Sequence, residues 1–172
     1  MEIADLARIV DSARRSAFRL ETLPQYLVPQ EAEEFAEWRA GRGEMATPSS
    51  SPWLAHVAER VASGVRWYRV HVLDQPLSDY SRYEIWGYRA NQAAGEEIYL
   101  ADREADLEDV RDDFWLVDDE TAVRMIYDHE GRFVRPELTE DVGPYLEMRA
   151  SALRHSEPLD DYIARRNLRL TA

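Results

Sequence analysis

Two runs, VRWYRVHVLD (65–74) and EEIYLAD (96–102), flank a single segment of helical length, and this spacing limits the fold more than any other feature. The first run is rich in β-branched and aromatic residues and reads as a strand. Alternation puts Tyr68, Val70 and Val72 on one face, and Trp67, Arg69, His71 and Leu73 on the other. After Pro76, LSDYSRYEIWGYRANQAAGE reads as a helix closing near Gly95, although Gly87 is an unfavourable interior residue. Two strands joined by one crossover helix are expected to pair in parallel. The expected class is therefore α/β or α+β, a small mixed sheet of about five strands flanked by helices, with an N-terminal helical segment.

DDFWLVDD and TAVRMIYD predict a hairpin around Asp118, Asp119 and Glu120. In the first strand Asp113, Trp115, Val117 and Asp119 share one face, and Asp112, Phe114, Leu116 and Asp118 the other. Asp113 and Asp119 then stand about 20 Å apart, too far to share one metal ion. The apolar quartet is expected to be interior, and the acids to be strand ends and turn residues. A cation held in the turn at 118–120 is the open alternative. A second turn, Asp128 to Gly131, leads into RFV.

Helices are expected from Pro29 in YLVPQEAEEFAEWRAG, and from Pro52 with Ser51 as N-cap. Leu54, Val57, Ala58 and Val61 give the second an apolar stripe, leaving Trp53, His56 and Arg60 on the other face and His56 solvated. GRGEMATPSSS between them reads as a linker. Further helices are expected near Pro144 and in PLDDYIARR. The organisation expected is one domain over 1–172: a helical segment and linker (1–51), an α/β core (52–155), and a C-terminal helix and tail (156–172).

The chain carries 34 acidic and 21 basic residues, a net charge of −13, and every basic residue is arginine. Glu96 to Glu120 holds twelve acids against Arg103 and Arg111, which reads as a solvated face. Direct nucleic-acid binding is disfavoured, its support being only Arg165, Arg166 and Arg169 in the tail. Without cysteine, disulfides and thiolate metal sites are excluded, and a cytoplasmic location is the simplest expectation. No apolar run is long enough to span a membrane, and the N-terminus has no secretory pattern.

The sequence offers no nucleophile elbow, P-loop or dinucleotide fingerprint, and His56, His71, His129 and His155 lack zinc spacing. No catalytic residue, metal or cofactor is assigned. Candidate ligand or partner residues cluster in RVHVLDQPLSDYSRYE, where a strand delivers Arg69 and His71 to a helix beginning with Asp79, Tyr80, Arg82 and Tyr83. Asp113 and Trp115 join them from the hairpin. The bland counterpart is an Asp79–Arg82 surface pair with the tyrosines packed on the sheet. Tyr80, Tyr83, Trp86 and Tyr88 run round the helix, which favours an interaction surface.

FRLETLPQYLVPQEAEEFAEWRAG, RVHVLDQPLSDYSRYE, AGEEIYLAD and DDFWLVDDETAVRMIYDHEGRF resemble an uncharacterised actinobacterial domain-of-unknown-function family, over nearly the whole chain. Its members are often encoded beside Xre-type helix-turn-helix regulators. The resemblance implies a regulatory or accessory role and transfers no catalytic residue. The element order is also similar to half of a phospholipase-D-like domain, whose H-x-K-x-x-x-x-D motif would fall on Arg111, Asp113 and Asp118. The histidine and lysine of that motif are missing, so the resemblance extends to the fold and not to phosphodiester chemistry. The function expected first is a non-enzymatic regulatory or adaptor protein that contacts a protein partner such as the helix-turn-helix regulator, with a homodimer left open. The alternative is a small-ligand binder or enzyme using a cleft near Arg69, Asp79, Arg82 and Asp113.

Overall fold

Central strands buried along almost their whole length organise the chain around one sheet. The computed structural model describes residues 1–103 and 105–170; Glu104 of the acidic run and the last two residues of the tail lie outside the described residues. In chain order the elements are α1 (Ile3–Asp11), β1 (Ser16–Glu21), α2 (Ala32–Arg39) and α3 (Pro52–Ala62). Then come β2 (Arg66–Leu73), α4 (Asp79–Ala93), β3 (Glu97–Asp102) and β4 (Asp113–Val117). The chain closes with β5 (Thr121–Tyr127), β6 (Phe133–Leu138), α5 (Gly143–Arg154), β7 (Glu157–Pro158) and α6 (Leu159–Arg166).

The strands form one mixed sheet in the order β6-β5-β4-β1-β2-β3-β7. β1, β2 and β3 are parallel; the remaining pairings are antiparallel. The parallel β2–β3 pair across α4 and the β4–β5 hairpin match the expectation from spacing. The sheet has seven strands where about five are expected. β7 is only a two-residue edge. β1, lying in the segment read as helical, is central: Ala17, Phe18 and Leu20 are fully buried between β4 and β2. A six-residue run with Arg19 inside it carries little strand signal of its own, and its neighbours impose the conformation.

Both faces are covered. One packs Ala17, Trp67, Trp115, Val117 and Val123 against Leu6 and Val10 of α1, Leu54 and Val57 of α3, and Ala90 of α4. The other packs Phe18, Leu20, Tyr68, Val70, Phe114 and Leu116 against α5 through Ala152 and its neighbours. The quartet 114–117 thus serves both layers. α6 closes the β3 edge, with Leu159 and Tyr162 packed against Leu73, Ile98 and Leu100.

Local signals match these elements. The Ser51 hydroxyl accepts the Leu54 amide at 3.3 Å and starts α3. His56, read as solvated, is part-buried: its ring packs edge-on to Trp67, and Nε2 lies 3.1 Å from Asp11. Gly131 adopts φ +81° where a Cβ would strike the carbonyl of Gln25. Its own carbonyl accepts the Leu27 amide at 3.0 Å, which holds the β5–β6 turn against the loop after β1.

Candidate functional site

On the sheet face beneath α4, the side chains change character along the strands. Ala17, Trp67, Trp115 and Val117 are apolar. Two residues further towards the carboxyl ends of the parallel strands, the same face carries Arg19 and Glu21 of β1, Arg69 and His71 of β2, and Asp113 of β4. The period of two dictates this: a strand that buries Ala17 or Trp67 on one face must place Arg19 or Arg69 there too. In open α/β sheets this end is where ligands bind.

These charges are buried, so each needs a partner. Asp113, 4% exposed, is the hub. Its Oδ2 accepts Arg19 Nη2 at 3.0 Å and the Tyr26 hydroxyl at 2.6 Å. Its Oδ1 accepts the Thr22 amide at 2.8 Å and the Thr22 hydroxyl at 2.7 Å. Arg69 bridges Glu21 at 3.0 Å and Glu96 at 2.6 Å. Burial opposes ionisation of Glu21, but Arg69 and Arg19 outweigh it and bring its pKa down to about 2.

His71 is fully buried, and burial pushes its pKa down, partly opposed by Glu21. In the neutral tautomer Nε2–H faces the Leu23 carbonyl at 3.3 Å. The Tyr88 hydroxyl then lies between His71 Nδ1 at 2.8 Å and Glu21 Oε2 at 3.0 Å, with one proton for two acceptors.

A cleft of about 480 Å³ opens over this network. Glu21 and Arg69 form part of its floor, and Tyr80, Tyr83, Glu84, Gly87, Tyr88 and Asn91 of α4 form a wall. Those helix positions follow i, i+3, i+4, i+7, i+8 and i+11, a single stripe. The aromatics were expected to run round the helix. Tyr80, Tyr83 and Tyr88 fall on one stripe that Glu84, Gly87 and Asn91 complete, whereas Trp86, at i+6, lies off it and still lines the cleft. Tyr26, Tyr127 and Phe133 close the far side, and Leu27, Val28, Met45 and Trp53 form an apolar rim, each more than a third exposed.

Glu84 differs from its neighbours. Its side chain is 11% exposed, Oε2 has no hydrogen-bond partner, and the imidazole Nδ1 of His71 lies 3.8 Å away. Burial, then the charges of Glu21 and Glu31, hold its pKa well above the usual carboxylate range. The cleft therefore holds one carboxyl driven towards ionisation, Glu21, and one driven towards protonation, Glu84.

Of the residues singled out from the sequence, Arg69, Tyr80 and Tyr83 line the cleft, and His71 and Asp113 lie one layer beneath it. Trp115 is 9% exposed and packs edge-on to Trp53 and Trp67 under the rim. Asp79 and Arg82 do not line it, because they fall off the α4 stripe; Asp79 lies on the surface, 3.6 Å from Arg39, and not in a pair with Arg82. Asp113 corrects the reading of the hairpin acids as wet strand ends. Asp112 does behave as a strand-end acid, pairing with Arg124 at 3.1 Å. Glu21, Tyr26 and Glu84 are not signalled by the sequence reading, Gly87 enters it only as a weak point of the helix, and Tyr88 only as part of an interaction surface. The α4 stripe is the signal that could have revealed Glu84 and joined it to Gly87 and Tyr88.

The acidic turn is occupied by protein partners. Asp118 accepts the amides of Arg14, Arg15 and Ser16 at 2.7–3.2 Å, Asp119 pairs with Arg149, and Glu120 pairs with Arg15 at 2.7 Å. Among the described residues no group of three or more His, Asp or Glu is placed to hold a metal ion. Asp118→Ala removes these amide bonds and leaves alanine at φ +54°, so a loss of about 1–2 kcal/mol is expected in urea denaturation. Asp118→Asn, which tolerates that φ, should lose less.

The family described as "Domain of unknown function (DUF6879)" matches residues 4–164, and the chain belongs to it. A search of curated proteins found no match. Among solved structures, the phospholipase D family member Nuc from Salmonella typhimurium is similar in fold, with a TM-score of 0.53 at 11% identity. The alignment covers 91% of this chain and 89% of that one. Among the described residues no helix is long and apolar enough to cross a membrane.

Proposed function

We propose that this domain binds a small organic molecule in the cleft at the carboxyl ends of β1 and β2. The observation that carries this reading is Gly87. It sits in the middle of a fifteen-residue helix, on the cleft wall, and a Cβ built there meets no atom within 4 Å beyond its chain neighbours and the helix's own backbone. A mid-helix glycine costs about 1 kcal/mol relative to alanine. Neither backbone conformation nor packing explains the residue, but keeping the cleft open does. A volume of about 480 Å³ is in the range of ligand pockets.

Phosphodiester hydrolysis is not part of the proposal. The likeness to Nuc is one of fold, and the sequence places Arg111 and Asp113 where that superfamily's motif has histidine and lysine. The Arg111 side chain is 74% exposed and Asp113 is consumed by four hydrogen bonds, so neither offers a nucleophile.

The test is thermal shift against a panel of amines, carboxylates, sugars and nucleotides. Gly87→Ala is expected to raise stability by about 1 kcal/mol. Gly87→Trp is expected to fold, to fill the cleft, and to abolish every shift the native chain shows. Identical shifts in both proteins, or none in either, would contradict the reading.

A second reading, a regulatory adaptor contacting a protein such as a helix-turn-helix regulator, is supported by the exposed rim of Leu27, Val28, Met45 and Trp53. The two roles are compatible, since a ligand seated below the rim would alter what the rim presents. Trp53→Asp should abolish capture of a co-expressed regulator if the adaptor role holds; capture unaffected by the substitution would place the contact elsewhere.

A further inference from the structure

We propose that the ligand of this cleft is an organic cation with an apolar body, such as a quaternary ammonium or a protonated amine. The proposal rests on the reading of the cleft as a ligand site and names what that site selects.

Charge gives the first argument. Four glutamates line the cleft against a single arginine, Arg69; Glu21 is matched by Arg69 and Glu84 is held towards its protonated form, which leaves Glu31 and Glu34 without an ion-pair partner among the described residues. Arg69 is unavailable to an incoming anion, since Nε and Nη2 are directed at Glu96 and Nη1 at Glu21. An anion would meet the unmatched charge of Glu31 and Glu34, whereas a cation would balance it. The net charge of −13 adds attraction at a distance.

The second argument is independent of the acid count. Glu84 lines the cleft, and its Oε2 is buried with no hydrogen-bond partner. A buried carboxylate oxygen without a donor is costly and rare in a settled structure. A cationic N–H, or the positive methyl shell of a quaternary ammonium, would supply what is missing.

The walls give the third argument. Tyr80, Tyr83, Trp86 and Tyr88 of α4 line the cleft with Tyr26 and Tyr127, and the Arg69 guanidinium already lies 5.0 Å from the Tyr88 ring centre, so this wall accepts a cation. Aromatic faces attract cations through the ring quadrupole, and several rings with an acid at the base form the usual enclosure for a quaternary ammonium. A bare metal ion fits poorly, because among the described residues no three carboxylates or imidazoles are placed to share one. The apolar rim fits the body of the ligand, so a hydrocarbon portion is expected beyond the charged head.

The experiment is titration calorimetry of the full chain with benzyltrimethylammonium, choline, 3,3-dimethylbutan-1-ol (the uncharged isostere of choline) and benzoate. Benzyltrimethylammonium should bind, and choline should bind at least about tenfold more tightly than its isostere. Glu84→Gln should weaken both cations by about tenfold or more and leave the isostere unchanged. Trp86→Leu provides a second variant, expected to weaken the quaternary cations selectively. The proposal is overturned if the isostere or benzoate binds as tightly as the cations, if Glu84→Gln has no effect, or if neither cation binds at about 10 mM. Binding of the isostere or benzoate that Gly87→Trp abolishes would reject the cation and keep the ligand site. Silence of these probes and of the whole panel in thermal shift would reject both.

Discussion

Asp113→Ala is expected to lower stability by about 3–5 kcal/mol, the usual cost of removing one partner from a buried ion pair. For a chain of this size that corresponds to a fall in Tm of roughly 10 °C. The carboxylate accepts from Arg19, from Tyr26 and twice from Thr22, so its loss orphans three donor groups beside the guanidinium. Arg19 is 4% exposed and already has one buried nitrogen, Nη1, without a partner. Glu21, 3.6 Å from Arg19 Nε, compensates only in part because it also serves Arg69. Urea denaturation of both single variants and of Arg19→Met with Asp113→Ala separates the pair from its surroundings. The double variant should recover much of the loss, because replacing both charges leaves neither stranded. A cost below about 1 kcal/mol for Asp113→Ala would mean that the hub is not buried as described.

Glu84→Gln is expected to act in the opposite direction and stabilise the protein by about 2–3 kcal/mol near neutral pH, the scale of an unmatched buried polar or charged group. The sign follows from linkage. Glu84 is held well above its ordinary value of 4.5, so the folded state keeps its proton where the unfolded state has released it. The native chain therefore loses stability as pH rises from about 4.5 towards the folded-state pKa. Glutamine, which resembles the protonated form and cannot titrate, escapes that loss. The advantage of the variant should be small near pH 5 and grow towards about pH 8, read as the difference between the two urea midpoints. An advantage that is absent, or that shrinks as pH rises, would show that Glu84 is well partnered as a carboxylate. Gain of stability with loss of cation binding in one substitution is what a functional residue produces.

Much of the architecture can be read directly from periodicity. Period two in VRWYRVHVLD and DDFWLVDD placed Arg69 and His71 on one face, and Asp113 and Trp115 together on another, and register then set the two groups on the same side of the sheet. The crossover length predicted the parallel pair, and Ser51 with Pro52 predicted a helix start. β1 was not legible, because SAFRLE is short and its conformation depends on strands arriving from distant sequence. Glu21 was missed with it. Glu84 was missed for a different reason: an acid in a polar-looking helix is ordinarily solvated, and its burial arises only when α4 lies over strand ends that already carry charge. Gly87 was noted as a weakness of the helix, and that weakness marks the site. Asp113 shows the limit of local reasoning, since nothing within DDFWLVDD distinguishes it from Asp112.

The most direct test is the titration of the Glu84 carboxyl by carbon-detected NMR, with and without benzyltrimethylammonium. Glu84 is faced by Glu21 of β1, Arg69 and His71 of β2, Glu31 ahead of α2, Asp113 of β4, and the phenols of Tyr26, Tyr80, Tyr83 and Tyr88. In the empty protein the carboxyl should titrate well above 4.5, and saturation with the cation should draw it downward. Titration in the ordinary carboxylate range, unmoved by the cation, would contradict both the unmatched charge and the ligand it is proposed to hold.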